Sequence, residues 1–310
     1  MARAGDAARL PHRLESLLQS RWLLVKARLS ISLIVAVTSS CIVYAGEMTP
    51  RPVVTSVRLY VLDCGTITND RPEEFGVTRD EVKYTALADM CYLVLHPHGV
   101  LLWDTGLSDT LMGRPYFETA QSGLGIIKLN TLRGQLADIG LSPEMIDYLA
   151  LSHGHFDHSG NANMFAGSTW LVSKQEREKM FPLTSDPAKD YSGYKNYDKL
   201  KTAKTVLIPA DYDVFGDGTV IIKRAFGHSP GHSVLAVQLR ETGPVLLAGD
   251  LYHYPEERVL HRIGASDAKT AAPHAREVIE AWADANHAQI WLAHDMSLFQ
   301  RLRKAPDYYQ

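Results

Sequence analysis

Residues 152–160 read Ser-His-Gly-His-Phe-Asp-His-Ser-Gly, so three imidazoles and a carboxylate fall within six consecutive positions directly after the apolar run Tyr148-Leu149-Ala150-Leu151. Imidazole and carboxylate are the donors that hold divalent transition metals. In an extended segment residues two apart project to the same side, so His153 and His155 can grip one ion while Asp157 and His158 turn the other way. Three further metal-type side chains stand at the ends of short apolar runs: His232 in Gly231-His232-Ser233, Asp250 in Leu247-Ala248-Gly249-Asp250, and His294 in Trp291-Leu292-Ala293-His294. Strand ends on one rim of a sheet are where a layered scaffold presents functional groups.

Five His and two Asp suffice for two cations a few ångströms apart, provided one carboxylate bridges them. The expected arrangement is His153, His155 and His232 on the first metal, Asp157, His158 and His294 on the second, and Asp250 between. Zn2+ is the expected ion, although the same donors suit Fe, Mn or Co. Gly154 and Gly160 permit close backbone approach around the ions. Any one such residue is more often a cap or a satisfied core group; it is the cluster that carries the argument. The other histidines lack this context. His96 and His98 sit in a Pro/Gly turn and read as solvated, His12, His261, His274 and His287 have no evident partners, and His228 reads as part of a supporting loop.

The elements that must position these groups are mostly strands. Val54–Leu62 reads as a strand ended by Asp63-Cys64-Gly65-Thr66, and Ala86–Leu95 with Val100–Trp103 reads as a hairpin about Pro97-His98-Gly99. Leu132–Ile139 has helical spacing with Gly140 as its stop, and Ser142-Pro143 opens a further turn. Short strands follow at 148–151, 169–172, 206–208, 219–222, 234–237 and 245–248, then a helix over 271–285 and a strand over 290–293. Residues 107–130 and 174–200 are long aromatic-bearing insertions, among them Tyr116, Phe117, Phe181, Tyr191, Tyr194 and Tyr197, that could roof a pocket, cover the surface or meet a second copy in a homodimer.

Composition bounds the rest. A chain of 310 residues that is 45% hydrophobic can bury a full core. Its net charge of −3 provides no basic surface for nucleic acid. The leader carries Arg13, Arg21, Lys26 and Arg28 ahead of an apolar run from Leu29 to Ala45. Such a segment reads as a secretory signal cut after Ala45, or alternatively as a membrane anchor. The expected organisation is a leader over 1–45 and one domain over 46–310, secreted or periplasmic, or held at the membrane. Of the three cysteines, Cys41 lies in the leader; Cys64 and Cys91 could pair in an oxidising compartment or remain buried thiols.

The blocks His153-x-His155-x-Asp157-His158, Gly231-His232, Gly249-Asp250 and Ala293-His294, at these intervals, resemble the metallo-β-lactamase superfamily of dinuclear hydrolases over residues 54–300. The resemblance implies an α/β protein, a four-layer αβ/βα sandwich with the metals at one edge of the sheets. Within that superfamily the chain is most similar to the N-acyl homoserine lactonases, through Arg58–Thr66, Leu102-Trp103-Asp104-Thr105-Gly106, Ile139–Pro143 and Asp213–Gly218. This implies a quorum-quenching hydrolase that opens a lactone ring by attack of a metal-bridging hydroxide, with Asp157 passing a proton to the leaving alkoxide. It also implies that Asp104 orients a ligand imidazole, against the plainer reading of a turn cap.

The sequence departs from the lactonase pattern at one place. Those enzymes commonly place Tyr three residues after the bridging Asp to contact the substrate carbonyl, whereas this chain has His253 flanked by Tyr252 and Tyr254. Either His253 donates, or a flanking tyrosine binds the substrate, or the substrate differs. Other small-ester, organophosphate and thioester hydrolases share the seven donors. One β-lactamase class carries Cys where Asp250 stands, another lacks the carboxylate, and glyoxalase II enzymes append a helical domain for which the 16 residues after His294 leave no room. A metal-bound binding module without catalysis is the remaining alternative.

Overall fold

Strands β1 (Arg58–Asn69), β2 (Ala86–His96) and β3 (Gly99–Trp103) are apolar and buried on both faces. Strands of that kind belong in a sheet covered on two sides. They pair antiparallel in succession. Beyond β3 the sheet continues through the parallel strands β6 (Tyr148–Ala150), β7 (Thr169–Ser173) and β8 (Thr205–Ile208). On its other side lie β5 (Leu124–Ile127) and β4 (Phe117–Thr119), giving the order β4-β5-β1-β2-β3-β6-β7-β8. A second sheet has the order β13-β12-β11-β10-β9, built from β9 (Tyr212–Asp213), β10 (Val220–Arg224), β11 (Ser233–Leu239), β12 (Gly243–Leu247) and β13 (Gln289–Trp291). The computed structural model describes residues 50–69, 71–114, 117–119 (backbone only), 124–183 and 193–310, all within the compact unit Thr49–Gln310.

Side-chain alternation along each strand divides the core. Leu59, Val61, Met90, Tyr92, Val94, Leu101 and Trp103 of the first sheet meet Val220, Ile222, Leu235, Val237, Val245 and Leu247 of the second. The opposite face of the first sheet, with Leu62, Leu93 and Leu102, packs on Leu132 and Leu136 of α1 (Leu132–Asp138). The outer face of the second, with Val234, Ala236 and Leu246, packs on Ala275 and Ile279 of α5 (Ala272–Ala285). These are the four layers of the expected αβ/βα sandwich. Each fully buried aliphatic side chain contributes roughly 1.5–3 kcal/mol, so the two sheets are held face to face chiefly by their shared apolar layer. Shorter helices α2 (Phe156–Ser159), α3 (Lys174–Met180), α4 (Pro255–Val259) and α6 (Met296–Arg301) complete the chain. No helix among the described residues is long and apolar enough to cross a membrane.

One expectation needs correction, and two points that the sequence leaves open are decided. The first strand begins at Arg58 and runs past Asp63-Cys64-Gly65-Thr66 to Asn69, because a bulge between Asp63 and Gly65 absorbs the irregularity that reads as an end. Cys64 in that bulge is joined to Cys91 on β2 by a disulfide with Cα atoms 5.9 Å apart. Part of the insertion 174–200 is helix: Ser173 caps α3 through its hydroxyl, which accepts from the Glu176 amide. The leader 1–45, Tyr116, the Phe117 side chain and Tyr191 lie outside the described residues.

Candidate metal centre

One rim of the sandwich collects the chain where β6, β12 and β13 end and β11 begins. The segment 152–158 leaves β6, Asp250 follows β12, His294 follows β13, and 228–232 lead into β11. Two hydrogen bonds tie the sheets together there: the Ser233 amide donates to Ser152 O at 2.9 Å, and the Ala88 amide to His294 O at 3.1 Å. Against that frame the structure brings six of the seven sequence-derived donors, joined by His228, to one site that is buried apart from the more open His155 and His228.

They form two groups. Asp157, His158 and His294 each present one donor atom within 4.8 Å of the others, and so do His153, His155, His228 and Asp250. Asp250 faces both groups. Its Oδ1 lies 3.0 Å from His158 Nε2 and 3.1 Å from His294 Nε2, and its Oδ2 lies 3.6 Å from His153 Nε2 and 3.3 Å from His228 Nε2. Asp157 Oδ2 is 3.7 Å from His294 Nε2.

The tautomers follow from the outward partners. His158 Nδ1 donates to Asp104 Oδ2 at 3.0 Å, His294 Nδ1 to Ala88 O at 2.7 Å, and His232 Nδ1 to Ala225 O at 3.0 Å. With Nδ1 protonated, a neutral ring turns its Nε2 lone pair inward. For His158 and His294 that lone pair confronts a carboxylate oxygen, an arrangement that a bound cation or a proton on the ring relieves. His153 Nε2, His158 Nε2 and Asp250 Oδ1 are buried and have no hydrogen-bond partner. Buried polar atoms are rarely left so. The donor set and these orphaned atoms fit two divalent cations, with His158, His294 and His232 each oriented by a partner outside the site.

Charge tells the same story. Burial, then the His228 ring, brings His155 down to about 4 and His232 down to about 3; His153 is held well below its usual range by burial, His155 and His158. These rings are neutral donors at pH 7. Burial opposes the charged form of His158, yet the carboxylates of Asp250, Asp104 and Asp157 push it well above the ordinary value. Burial likewise works against ionised Asp250, but His158, His294 and His153 hold it well below the carboxylate range.

Asp104 sits where it can orient the site. Its Oδ1 accepts from the Ser152 amide at 2.7 Å while Oδ2 holds His158, with its own backbone in the left-handed region at φ 59°. Gly160 allows the close backbone approach expected of it, since a Cβ there would fall 2.3 Å from Gly106 O, whereas Gly154 backs onto the side chains of Met180 and Glu176.

His228 and His232 exchange places relative to expectation. His228 Nε2 stands 3.1 Å from His155 Nδ1 and beside Asp250, whereas His232 Nε2 accepts the Asp250 amide at 3.0 Å. The i, i+4 pair across Ser229-Pro230-Gly231 was the available sign, since a Pro-Gly turn brings both rings to one place.

His253 reaches the rim, with Nε2 3.3 Å from Asp250 Oδ2 and its ring 4.0 Å from that of Phe75. Burial opposes its charge, but Asp250 and Glu257 raise it to about 10. Glu257, which sequence spacing did not reveal, fixes this segment: Oε1 accepts the amides of His253 at 2.7 Å and Tyr254 at 2.9 Å, and Oε2 pairs with Arg276 Nη2 at 2.6 Å. The structure gives the two tyrosines other partners. Tyr252 donates to Glu280 Oε1 at 3.0 Å, and the Tyr254 hydroxyl accepts from Asn69 Nδ2 at 3.2 Å. Each ring is buried in an apolar cluster.

Residues 84–289 match the family model described as metallo-beta-lactamase superfamily. The chain belongs to the metallo-beta-lactamase superfamily. Other superfamily proteins are similar over most of its length. The N-acyl homoserine lactonase AttM of Azorhizobium caulinodans is 27% identical over 273 residues, covering 82% of this chain and 99% of the relative. The N-acyl homoserine lactonase AiiA of Bacillus thuringiensis subsp. kurstaki is 24% identical over 227 residues, covering 70% and 85%. Among solved structures, an N-acyl homoserine lactone hydrolase with N-hexanoyl-L-homoserine at its catalytic metal centre superposes with a TM-score of 0.68 at 24% identity, covering 82% of this chain and 99% of that one.

Proposed function

We propose that this superfamily member is a dinuclear metallohydrolase that opens the lactone ring of N-acyl homoserine lactones. The observation that carries the reading is Asp250 set between two imidazole groups whose buried lone pairs lack partners. The lactonases that match along nearly their whole length supply the substrate class. Zn2+ is the proposed ion, with Fe, Mn or Co served by the same donors. Bound there, the cations lower the pKa of water and polarise an ester carbonyl.

The chain's own residues do the rest. Asp250 offers both oxygens, one to each imidazole group. Asp157, buried beside His294, is placed to deliver a proton to the leaving alkoxide. His253, raised by its carboxylate neighbours and held against Phe75, is placed to donate to the substrate carbonyl. Because the two tyrosine hydroxyls are engaged elsewhere, that contact rests on His253 alone of the three.

His253 also favours a second reading, in which the substrate is another small ester or a phosphotriester. Full-length protein with its metal content measured, assayed on lactones, phosphotriesters, thioesters and β-lactams, separates the two. Two ions per chain with turnover on lactones first is the expected result; two ions with none on lactones overturns the lactonase reading. Export, to the periplasm or beyond, is proposed on the leader sequence and is supported by the buried Cys64–Cys91 disulfide.

A further inference from the structure

Glu176 is 2% exposed, an unusual place for a carboxylate without a cationic partner. It stands in the first turn of α3 and receives three donors. The Gly154 amide reaches Oε1 at 2.8 Å, while Oε2 takes the Ser229 hydroxyl at 2.6 Å and the Gly231 amide at 3.0 Å. Each donor is a direct chain neighbour of a rim imidazole. Gly154 lies between His153 and His155, Ser229 follows His228, and Gly231 precedes His232. The two loops so joined leave different sheets, since 152–155 extends β6 and 225–232 precedes β11.

The surroundings leave little freedom. Ser173, which caps α3, also donates to Gly231 O at 3.1 Å. A Cβ on Gly231 would fall 2.2 Å from that hydroxyl and 2.3 Å from the Glu176 amide, so the loop lies directly on the helix. One buried side chain therefore sets the distance between imidazoles contributed by the two halves of the sandwich.

We propose that Glu176 is a positioning residue for the cation faced by His153, His155, His228 and Asp250, and that it governs the affinity of that ion while leaving the ion at Asp157, His158 and His294 largely unaffected. This rests on the dinuclear reading above. Glutamine at 176 keeps the shape but places an NH2 group where one of the donors now arrives, so one loop must withdraw.

The test is titration of chelated full-length protein with Zn2+, and with Co2+ for its absorption spectrum, in wild type, E176Q and S229A. In E176Q one of the two ions is expected to bind about 10–100-fold more weakly, the range typical of partners that orient metal ligands. The other should bind as before, with a changed Co2+ spectrum only at the weakened site. S229A, which removes one donor of three, should weaken the same ion less, and it serves as the test if E176Q does not fold. Equal affinity for both ions in wild type and variants overturns the proposal, and so does uniform weakening of both ions with a lowered Tm. A wild type that takes up no ion overturns the metal reading and this inference with it; two tight ions in both wild type and variants overturns this inference alone.

Discussion

The rim has a counterpart elsewhere in the molecule that is similar in composition and opposite in wiring. At the β2–β3 hairpin His96, His98 and Asp217 also present donor atoms within 4.8 Å of one another. There, His96 Nδ1 accepts the His98 amide at 3.0 Å, Nε2 donates to Asp217 Oδ2 at 2.9 Å, and the ring stacks on Phe215 at 4.1 Å. Both ring nitrogens are satisfied, and the ring fastens the hairpin to the Asp213–Gly218 turn. At the rim His158 and His294 have their Nδ1 atoms occupied and their Nε2 atoms aimed at a carboxylate oxygen. Proximity of donors is common to both clusters; what separates them is which ring nitrogen the surroundings have already taken.

Substitutions can sharpen that contrast or break it. Asp250→Asn should have the largest effect, lowering metal content and reducing hydrolysis by more than about 100-fold, because it removes the charge and replaces one of the two oxygens, each facing a different group, with an NH2 that cannot hold a cation; full metal content measured by elemental analysis would break the contrast. His253→Ala should lower kcat roughly 100-fold, the scale of one lost transition-state donor, with both ions retained. Unchanged turnover in steady-state kinetics removes His253 from the mechanism. Asp104→Ala, which frees His158 Nδ1, should weaken metal binding about 10-fold in a chelator competition; an unaltered affinity would mean the ring is held by packing. The smallest effect on the site belongs to the hairpin. His96→Ala should cost about 2–4 kcal/mol of stability for the lost hydrogen bonds and the buried, stacked ring, with metal stoichiometry and kcat unchanged, and a lost ion in that variant would make the hairpin a metal site after all.

The legible part of the site was its local part. The 153–158 block and the strand-end positions of Asp250 and His294 follow from short-range pattern, and they meet because the strands that carry them end on one rim. The hairpin, the helix before Gly140 and the long helix over 272–285 follow from periodicity in the same way. What escaped is what tertiary contact decides. His96 reads as solvated from its turn, yet Phe215, far along the chain, covers it. Glu176 sits in a polar stretch, Lys-Gln-Glu-Arg-Glu-Lys, where nothing local marks one carboxylate for burial. The exchange between His228 and His232 depends on which ring the Ala225 carbonyl captures, a contact across a loop that spacing does not encode. The first strand's length was hidden by a bulge whose residues have turn composition.

The bond between Cys64 and Cys91 closes a sequence separation of 27 residues, a loop worth roughly 3 kcal/mol in the chain-entropy view. Within that loop lies Phe75, whose ring rests on His253. The disulfide thus shortens the leash on a residue packed against His253. A chain assembled in a reducing compartment would carry the same metal donors but a longer tether to the ring that backs His253.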